Sequence, residues 1–542
     1  MRRMTTSPRG DWRQGLPSGA LSDTLPATIG AVCFDSRAVR PGDLFVCVRG
    51  EQADGHTFAR AAVEAGAVAL VEEAGRGEAL DGLGVPVVRV PDTRRALSSI
   101  AAAHEGYPAR RLTVIGITGT DGKSTTAFLT LAALEACGLR AGLLTTIESR
   151  IAGRVIPNPT RLTTQEAPLV QSLLAEMVEA GCTHAIVEAT SHGLALHRLD
   201  DCEFDVAVLT NLTEDHLDFH GTLDAYRAAK TRLFSMLDAP TTKRVSRAAV
   251  LNADDRSWET FGRATRVRRL TYALDNPRAD ILAGDVMLWP DGSTFVLTAD
   301  EDELEASVHL PGRFNVANAA AAITVAAALG LDPFAAAAGV ASCPGVPGRM
   351  EPIAGAPFPV IVDYAHTPDA LAQVLSMLRP LVDGRLIVVF GCAGERARER
   401  RSGLGRVAAE QADLSILTDE DPRSESPMAI IDEIAAAMVA AGAKEGERFE
   451  RIPGRGTAIM RACAVARPDD LVLIAGKGHE STIEWADHAE PWDDRAAARD
   501  AFAALGFAAP TAVPVVELAA SEADMADDVD AEDAEDDEGG RA

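Results

Sequence analysis

No apolar run in the sequence approaches the roughly 20 residues needed to cross a bilayer, which argues against a membrane protein. The basic start, MRRM, has no apolar stretch behind it, so no secretory leader is read there. The eight cysteines include no C-x-x-C pair. Scattered singly through a long chain, they read as reduced side chains of a cytoplasmic protein. Positive charge is also short: 52 Lys and Arg face 80 Asp and Glu, a formal net charge of −28. Such a balance speaks against nucleic-acid binding. Part of the deficit is local, because 11 acidic residues and no Lys or Arg lie between Ser521 and Glu538. That low-complexity run cannot bury a core and is expected to be a disordered, solvating tail. No internal repeat is present.

What the sequence does contain is alternation. Strand-like apolar runs alternate with Ala/Leu-rich helical stretches, the βαβ pattern of mainly parallel sheets covered by helices. The expected fold class is therefore α/β. A flexible N-terminal extension is expected over residues 1–25, then a small α/β domain over 26–108 and a central domain over 109–345. A third domain follows over 346–508, with strands at "FPVIVDYA", "RLIVVFG", "LSILTD" and "LVLIAG". Residues 509–542 are the acidic tail.

The central domain opens on "GITGTDGKSTTAFL", residues 116–129. A strict G-x-x-x-x-G-K-[ST] loop would need glycine at position 117, which is Ile; the glycines fall at 116, 119 and 122. The context still matches a phosphate loop. A strand is predicted over 112–117 and a helix over 123–137, with Gly138 as its stop. Backbone N–H groups around Gly119 and Gly122 can face phosphate oxygens at the positive end of the helix. Lys123 would reach the outer phosphates and Ser124 would offer its hydroxyl to Mg²⁺.

Two further strand ends carry polar groups. A strand over 184–188 ends at Glu188, a candidate metal ligand at the carboxyl edge where α/β sheets bind ligands. A strand over 206–212 would deliver Glu214, Asp215 and His216, ahead of a helix carrying Lys230.

The motifs "GITGTDGKSTT", "EATSHGL", "TNLTEDHLDFHG" and "YRAAKTRLF" resemble the Mur ligase family, the ATP-dependent amino-acid ligases of peptidoglycan stem-peptide synthesis. The resemblance covers nearly the whole chain and implies three domains, with a P-loop-type ATPase centre and a Rossmann-like C-terminal domain. It implies that Gly119, Thr120, Asp121, Gly122, Lys123, Ser124 and Thr125 bind ATP and its Mg²⁺. Glu188, His216 and Lys230 would hold a second metal ion, with Lys230 as a CO₂ adduct; an ammonium repels Mg²⁺, whereas a carbamate attracts it. Asn252, Asn315, Asn318, Arg349 and Asp363 match adenine, phosphate and third-domain contacts.

Within the family, "FDSRAVRPGDLFV" and "GEQADGHTF" resemble the uridine-diphosphate clamp of the tripeptide-forming members. Phe34, Ser36, Glu51, Gln52 and Ala53 would lie near the uracil end. Thr163, Thr164, Thr190 and Arg198 match contacts to the muramoyl-dipeptide. In the third domain Arg396, Glu420, Asp421, Pro422, Arg423, Gly476 and Glu480 match the site of the incoming amino acid. Arg423 favours a distal carboxylate, as in meso-diaminopimelate, because guanidinium binds carboxylate in a fork. Asp421 would instead attract the terminal ammonium of ornithine or lysine, and both choices stay open.

The implied reaction is acyl-phosphate formation on UDP-MurNAc-L-Ala-D-Glu, followed by attack of a diamino acid. The third domain is expected to close onto the second, with Arg349 and Asp363 near the hinge. Small molecules are the expected partners, without nucleic acid or membrane, and a monomer is expected. A folylpolyglutamate synthetase-like ligase is disfavoured by the "FDSR…EQADG" first domain. A silent nucleotide-binding homologue is disfavoured by the intact Lys123, Ser124, Glu188, His216 and Lys230.

Overall fold

The computed structural model describes residues 10–20, 24–50, 53–75, 80, 82–158, 162–300, 302–395 and 398–507. Glu51, Gln52, Arg396 and the acidic tail lie outside the described residues. Three α/β layers follow one another along the chain. The first holds four parallel strands, Val32–Cys33, Leu44–Val46, Ala69–Glu73 and Val87–Val90, in sequence order.

The extension expected to be flexible is folded over residues 10–20. Trp12, in the short helix Trp12–Gly15, is 1% exposed and its indole N–H donates to the Pro26 carbonyl at 3.0 Å. It shares a core with Ala96, Leu97 and Ile100 of the helix Thr93–His104. Burying so large an aromatic offsets the entropy of ordering the segment.

The central sheet has eleven strands. Its middle is parallel, with Ala248–Asn252, Val206–Leu209, Thr113–Thr118, His184–Glu188 and Ala141–Leu144 side by side. Successive residues there serve opposite faces, as a pleated strand requires. Val206, Val208, Ala248 and Val250 join the core beneath the helices Lys123–Ala136 and Arg313–Ala328. Ala207, Leu209, Ala249 and Leu251 join the opposite core, with Leu233 and Phe234 of the helix Leu223–Met236. Covered on both faces, these strands are apolar without interruption. Antiparallel hairpins extend both edges, which the βαβ pattern did not predict.

The third sheet runs Val360–Asp363, Leu471–Ala475, Leu386–Phe390, Leu414–Leu417 and Phe449–Arg451 in parallel, with the short strand Glu351–Pro352 antiparallel at the Val360–Asp363 edge. The four strands predicted for this domain are all present. Among the described residues no helix is long and apolar enough to cross a membrane.

Candidate active site

The predicted strand, glycine loop and helix are present as Thr113–Thr118 followed by Lys123–Ala136. Gly122 caps the helix at φ 79°, with no side chain bonded to the first-turn amides. Those amides are the groups a phosphate would take. The loop is braced from three sides. The Thr210 hydroxyl donates to the Asp121 carbonyl at 2.6 Å, and the Asp121 amide donates to Asn211 Oδ1 at 2.9 Å. Thr120 Oγ1 lies 3.1 Å from the Tyr226 hydroxyl. These side chains explain why the strand predicted over 206–212 ends at Leu209. Thr210 and Asn211 turn to the loop, and the Leu212 amide is taken by Asp255 at 2.6 Å.

Lys123 curls over the loop, its Nζ donating to the Thr120 carbonyl at 2.6 Å and the Gly119 carbonyl at 3.0 Å. Burial lowers its pKa, against the pull of Glu188 and Asp121. Ser124 and Thr125 are buried in the first helical turn. Asn318, on the facing helix, accepts from the Thr126 hydroxyl at 3.2 Å and donates to Asn315 at 3.1 Å. Asn315 in turn donates to the Pro311 carbonyl, and Asn252 to the Thr210 carbonyl. The three asparagines expected at the nucleotide thus form part of the frame around the loop.

Beneath the loop, Lys230 is 2% exposed and its Nζ donates to the Gly119 carbonyl at 2.6 Å. Burial, and secondarily the charge of Lys123, holds its pKa well below the ordinary lysine value. The neutral amine that results is the form able to react with CO₂. Glu188 ends the adjoining strand, with Ile117 as its pairing neighbour. Its Oε2 accepts from the Thr146 amide and hydroxyl, both at 2.7 Å, while Oε1 is buried without a hydrogen-bond partner. His216 stands on the following loop, its side chain 47% exposed and its ring 4.7 Å from that of His192. Among the described residues no three His, Cys, Asp or Glu side chains converge as a ready-made metal cluster. The orphaned Glu188 oxygen nevertheless suits a divalent cation, provided Lys230, whose pKa is lowered, supplies the missing anion.

Thr164, Thr190 and Arg198 gather beside Glu188. The Thr164 hydroxyl donates to the Glu188 carbonyl at 2.8 Å, the Thr190 hydroxyl donates to Thr164 Oγ1 at 2.9 Å, and Arg198 donates to the Thr164 carbonyl at 2.9 Å. Thr163 is half-buried next to them. In the first domain Phe34 is exposed, Ser36 opens the short helix Ser36–Ala38 and Ala53 is exposed.

Arg349 follows the central domain, its guanidinium 4.6 Å above the Tyr364 ring and its Nε buried without a hydrogen-bond partner. Asp363 accepts from the Met350 and Ala365 amides, both at 2.8 Å. Burial raises its pKa, opposed by the charge of Arg349.

At the carboxyl edge of the third sheet lies a cavity of about 210 Å³, lined in part by Glu420, Asp421, Arg423, Gly476 and Glu480. Pro422 carries the chain through a close approach to Gly394, whose added Cβ would lie 2.2 Å from the Pro422 carbonyl oxygen. Two cavity charges have protein partners that the sequence reading missed. The fully buried Lys477 donates to Asp421 at 2.7 Å and to Glu480 at 2.5 Å. Asp421 therefore has a counter-charge within the protein. Arg423 donates through Nε to Glu484 at 3.0 Å and through Nη1 to the Gly394 carbonyl at 3.0 Å. Lys477 stood inside the motif "IAGKGHE", so its type and position were visible. Glu484 carried no signal, because its role depends on the hairpin Thr482–Glu484 with Ala489–Pro491.

Three family models match the chain: the Mur ligase family catalytic domain over residues 28–105, the Mur ligase middle domain over 117–326, and the Mur ligase glutamate ligase domain over 348–478. A UDP-N-acetylmuramyl-tripeptide synthetase of Roseiflexus sp. (strain RS-1) is 49% identical, covering 88% of this chain and 95% of the relative. A UDP-N-acetylmuramoyl-L-alanyl-D-glutamate–2,6-diaminopimelate ligase of Bacillus licheniformis is 39% identical over the same shares. A solved structure of a ligase of that same name superposes with a TM-score of 0.65 at 32% identity, covering 93% of this chain and all of the other. With its phosphate loop, its buried lysine and its three successive α/β layers, the chain belongs to the Mur ligase family.

Proposed function

We infer that the chain joins a diamino acid to the free side-chain carboxylate of the D-glutamyl residue in UDP-MurNAc-L-Ala-D-Glu, at the expense of ATP. It is an ATP-dependent amide ligase of peptidoglycan precursor synthesis. The observation that carries the reading of the site is the pairing of Ile117 with Glu188. That register sets the phosphate loop beside the Thr164–Thr190–Arg198 group, so a phosphoryl donor and a carboxylate acceptor can meet at adjoining strand ends.

In the reaction the acceptor carboxylate attacks the γ-phosphorus of ATP, giving an acyl phosphate and ADP. The α-amine of the diamino acid then attacks the acyl carbon, loses a proton and expels phosphate. Lys123 and Arg349 supply positive charge where the phosphoryl oxygens develop negative charge. Thr164, Thr190 and Arg198 hold the acceptor, and the third-domain cavity presents the amine, so proximity supplies much of the rate. Ser124, Glu188, His216 and a carbamate on Lys230 would hold Mg²⁺, which when bound offsets phosphate charge. Among the described residues the cysteines form no disulfide, which supports a reducing, cytoplasmic location.

The test is phosphate release with ATP, UDP-MurNAc-L-Ala-D-Glu and a diamino acid. Release should require all three and fall about 10³-fold or more in Lys123→Ala. Release that ignores the UDP-linked substrate would overturn the reading.

A further inference from the structure

Beside the third-domain cavity a carboxylate, Glu484, already pairs with one of its lining cations, Arg423. Arg423 is the cation a second carboxylate would seek, yet its Nε and Nη1 are committed to Glu484 and the Gly394 carbonyl. Its backbone amide also donates to the Glu484 carbonyl at 2.9 Å. The guanidinium is thus held through Nε by the hairpin and through Nη1 by the Gly394 carbonyl. A guanidinium engaged in this way offers little to an incoming anion unless that ion pair is broken.

The other charges lean the same way. Glu420, Asp421 and Glu480 line the cavity, while Lys477 is the buried ammonium that pairs with the last two. Glu420 is only 8% exposed, and its Oε2 has no hydrogen-bond partner among the described residues. Its immediate neighbour on that side is Gly476, whose added Cβ would lie 3.0 Å from Oε2. A buried carboxylate oxygen aimed past a glycine is an acceptor waiting for a donor. Among the described lining residues, Arg400 is the cation left for the α-carboxylate common to every amino acid.

We propose that the incoming amino acid carries a distal ammonium and no distal carboxylate, as L-ornithine and L-lysine do, and that Glu484 sets this choice by occupying Arg423. Glu420 receives the distal ammonium, and Glu484 acts as a positioning residue through the arginine. The proposal rests on the reading of this cavity as the amino-acid site of the ligase.

The full chain is assayed for ATP-dependent phosphate release on UDP-MurNAc-L-Ala-D-Glu with L-ornithine, L-lysine or meso-diaminopimelate. Wild type should favour ornithine or lysine over meso-diaminopimelate by about tenfold or more in kcat/KM. In Glu484→Gln the ratio for meso-diaminopimelate over ornithine should rise about tenfold or more, since Arg423 is released. Glu484→Asp keeps the charge and should hold the wild-type ratio. A wild type that favours meso-diaminopimelate overturns the proposal and leaves the ligase reading standing. An unmoved ratio in a folded Glu484→Gln protein, checked by thermal unfolding, overturns the role of Glu484. No release with any acceptor overturns the ligase reading and the proposal with it.

Discussion

The Nζ of Lys230 donates a 2.6 Å hydrogen bond to the Gly119 carbonyl, the same carbonyl that Lys123 reaches at 3.0 Å. Two lysines at one oxygen, one buried and one half-buried, cannot comfortably both be charged. Lys230 is the one held well below its ordinary pKa. Its amine should therefore add CO₂ and release a proton, forming a carbamate. Native mass spectrometry of the wild type should show the added mass of one CO₂, absent in Lys230→Arg, whose guanidinium stays protonated. Activity in that variant should fall about 10²-fold or more. A near-wild-type rate would sink the idea.

Glu188 offers one bonded and one orphaned oxygen. Glu188→Gln can keep the Thr146 contacts through its carbonyl oxygen while losing the charge. The variant should fold normally and need about tenfold or more Mg²⁺ for half-maximal activity. Titration of Mg²⁺ at saturating ATP reads this out, and an unchanged requirement would remove Glu188 from the metal site.

Gly122 combines a left-handed φ of 79° with a crowded Cβ direction, 2.4 Å from Asn318 Oδ1. Gly122→Ala should cost about 1–3 kcal/mol of stability. It should also raise the KM for ATP, because Asn318 cannot yield without disturbing Thr126 and Asn315. Thermal unfolding and ATP titration test the two halves separately.

Burial raises the Glu420 carboxyl from 4.5 to about 7, partly opposed by Arg455 and Lys477. Because the folded value lies above the unfolded one, folding takes up a proton there. The resulting penalty is absent below pH 4.5 and complete above pH 7, so this group costs stability as pH rises through that window. Affinity for an ammonium moves the other way. The KM for L-ornithine should fall as pH rises through about 7, and Glu420→Gln should flatten that dependence. Parallel profiles for the two proteins would remove Glu420 from the ammonium site.

The parts of the site that were readable share one property: they are local. Gly119, Gly122 and Lys123 lie on one short segment between a strand and a helix, and the strand His184–Glu188 has the bounds its apolar run suggested. Trp12 was misjudged because its partners stand on the helix Thr93–His104, about which its Gly/Pro-rich neighbourhood says nothing. The partner of Asp421 was hidden for the same reason on a larger scale. That counter-charge lies 56 residues away at Lys477, and that of Arg423 lies 61 residues away at Glu484. Composition reveals a charge, but only the assembled sheet edge reveals whether that charge is spent.

The segment joining the second and third domains crosses the "KGHE" loop backbone to backbone. A Cβ at Gly348 would lie 2.1 Å from the Gly478 carbonyl carbon and the His479 amide nitrogen. Asp363 then clasps the Met350 and Ala365 amides, tying the end of the joining segment to the first parallel strand of the third sheet. Residues 348–350 are thereby mechanically part of the third domain, and any swivel between the domains has its axis before Gly348. If the third domain closes onto the second as expected, Arg349 travels with the amino-acid cavity, so substrate arrival and charge arrival become one movement.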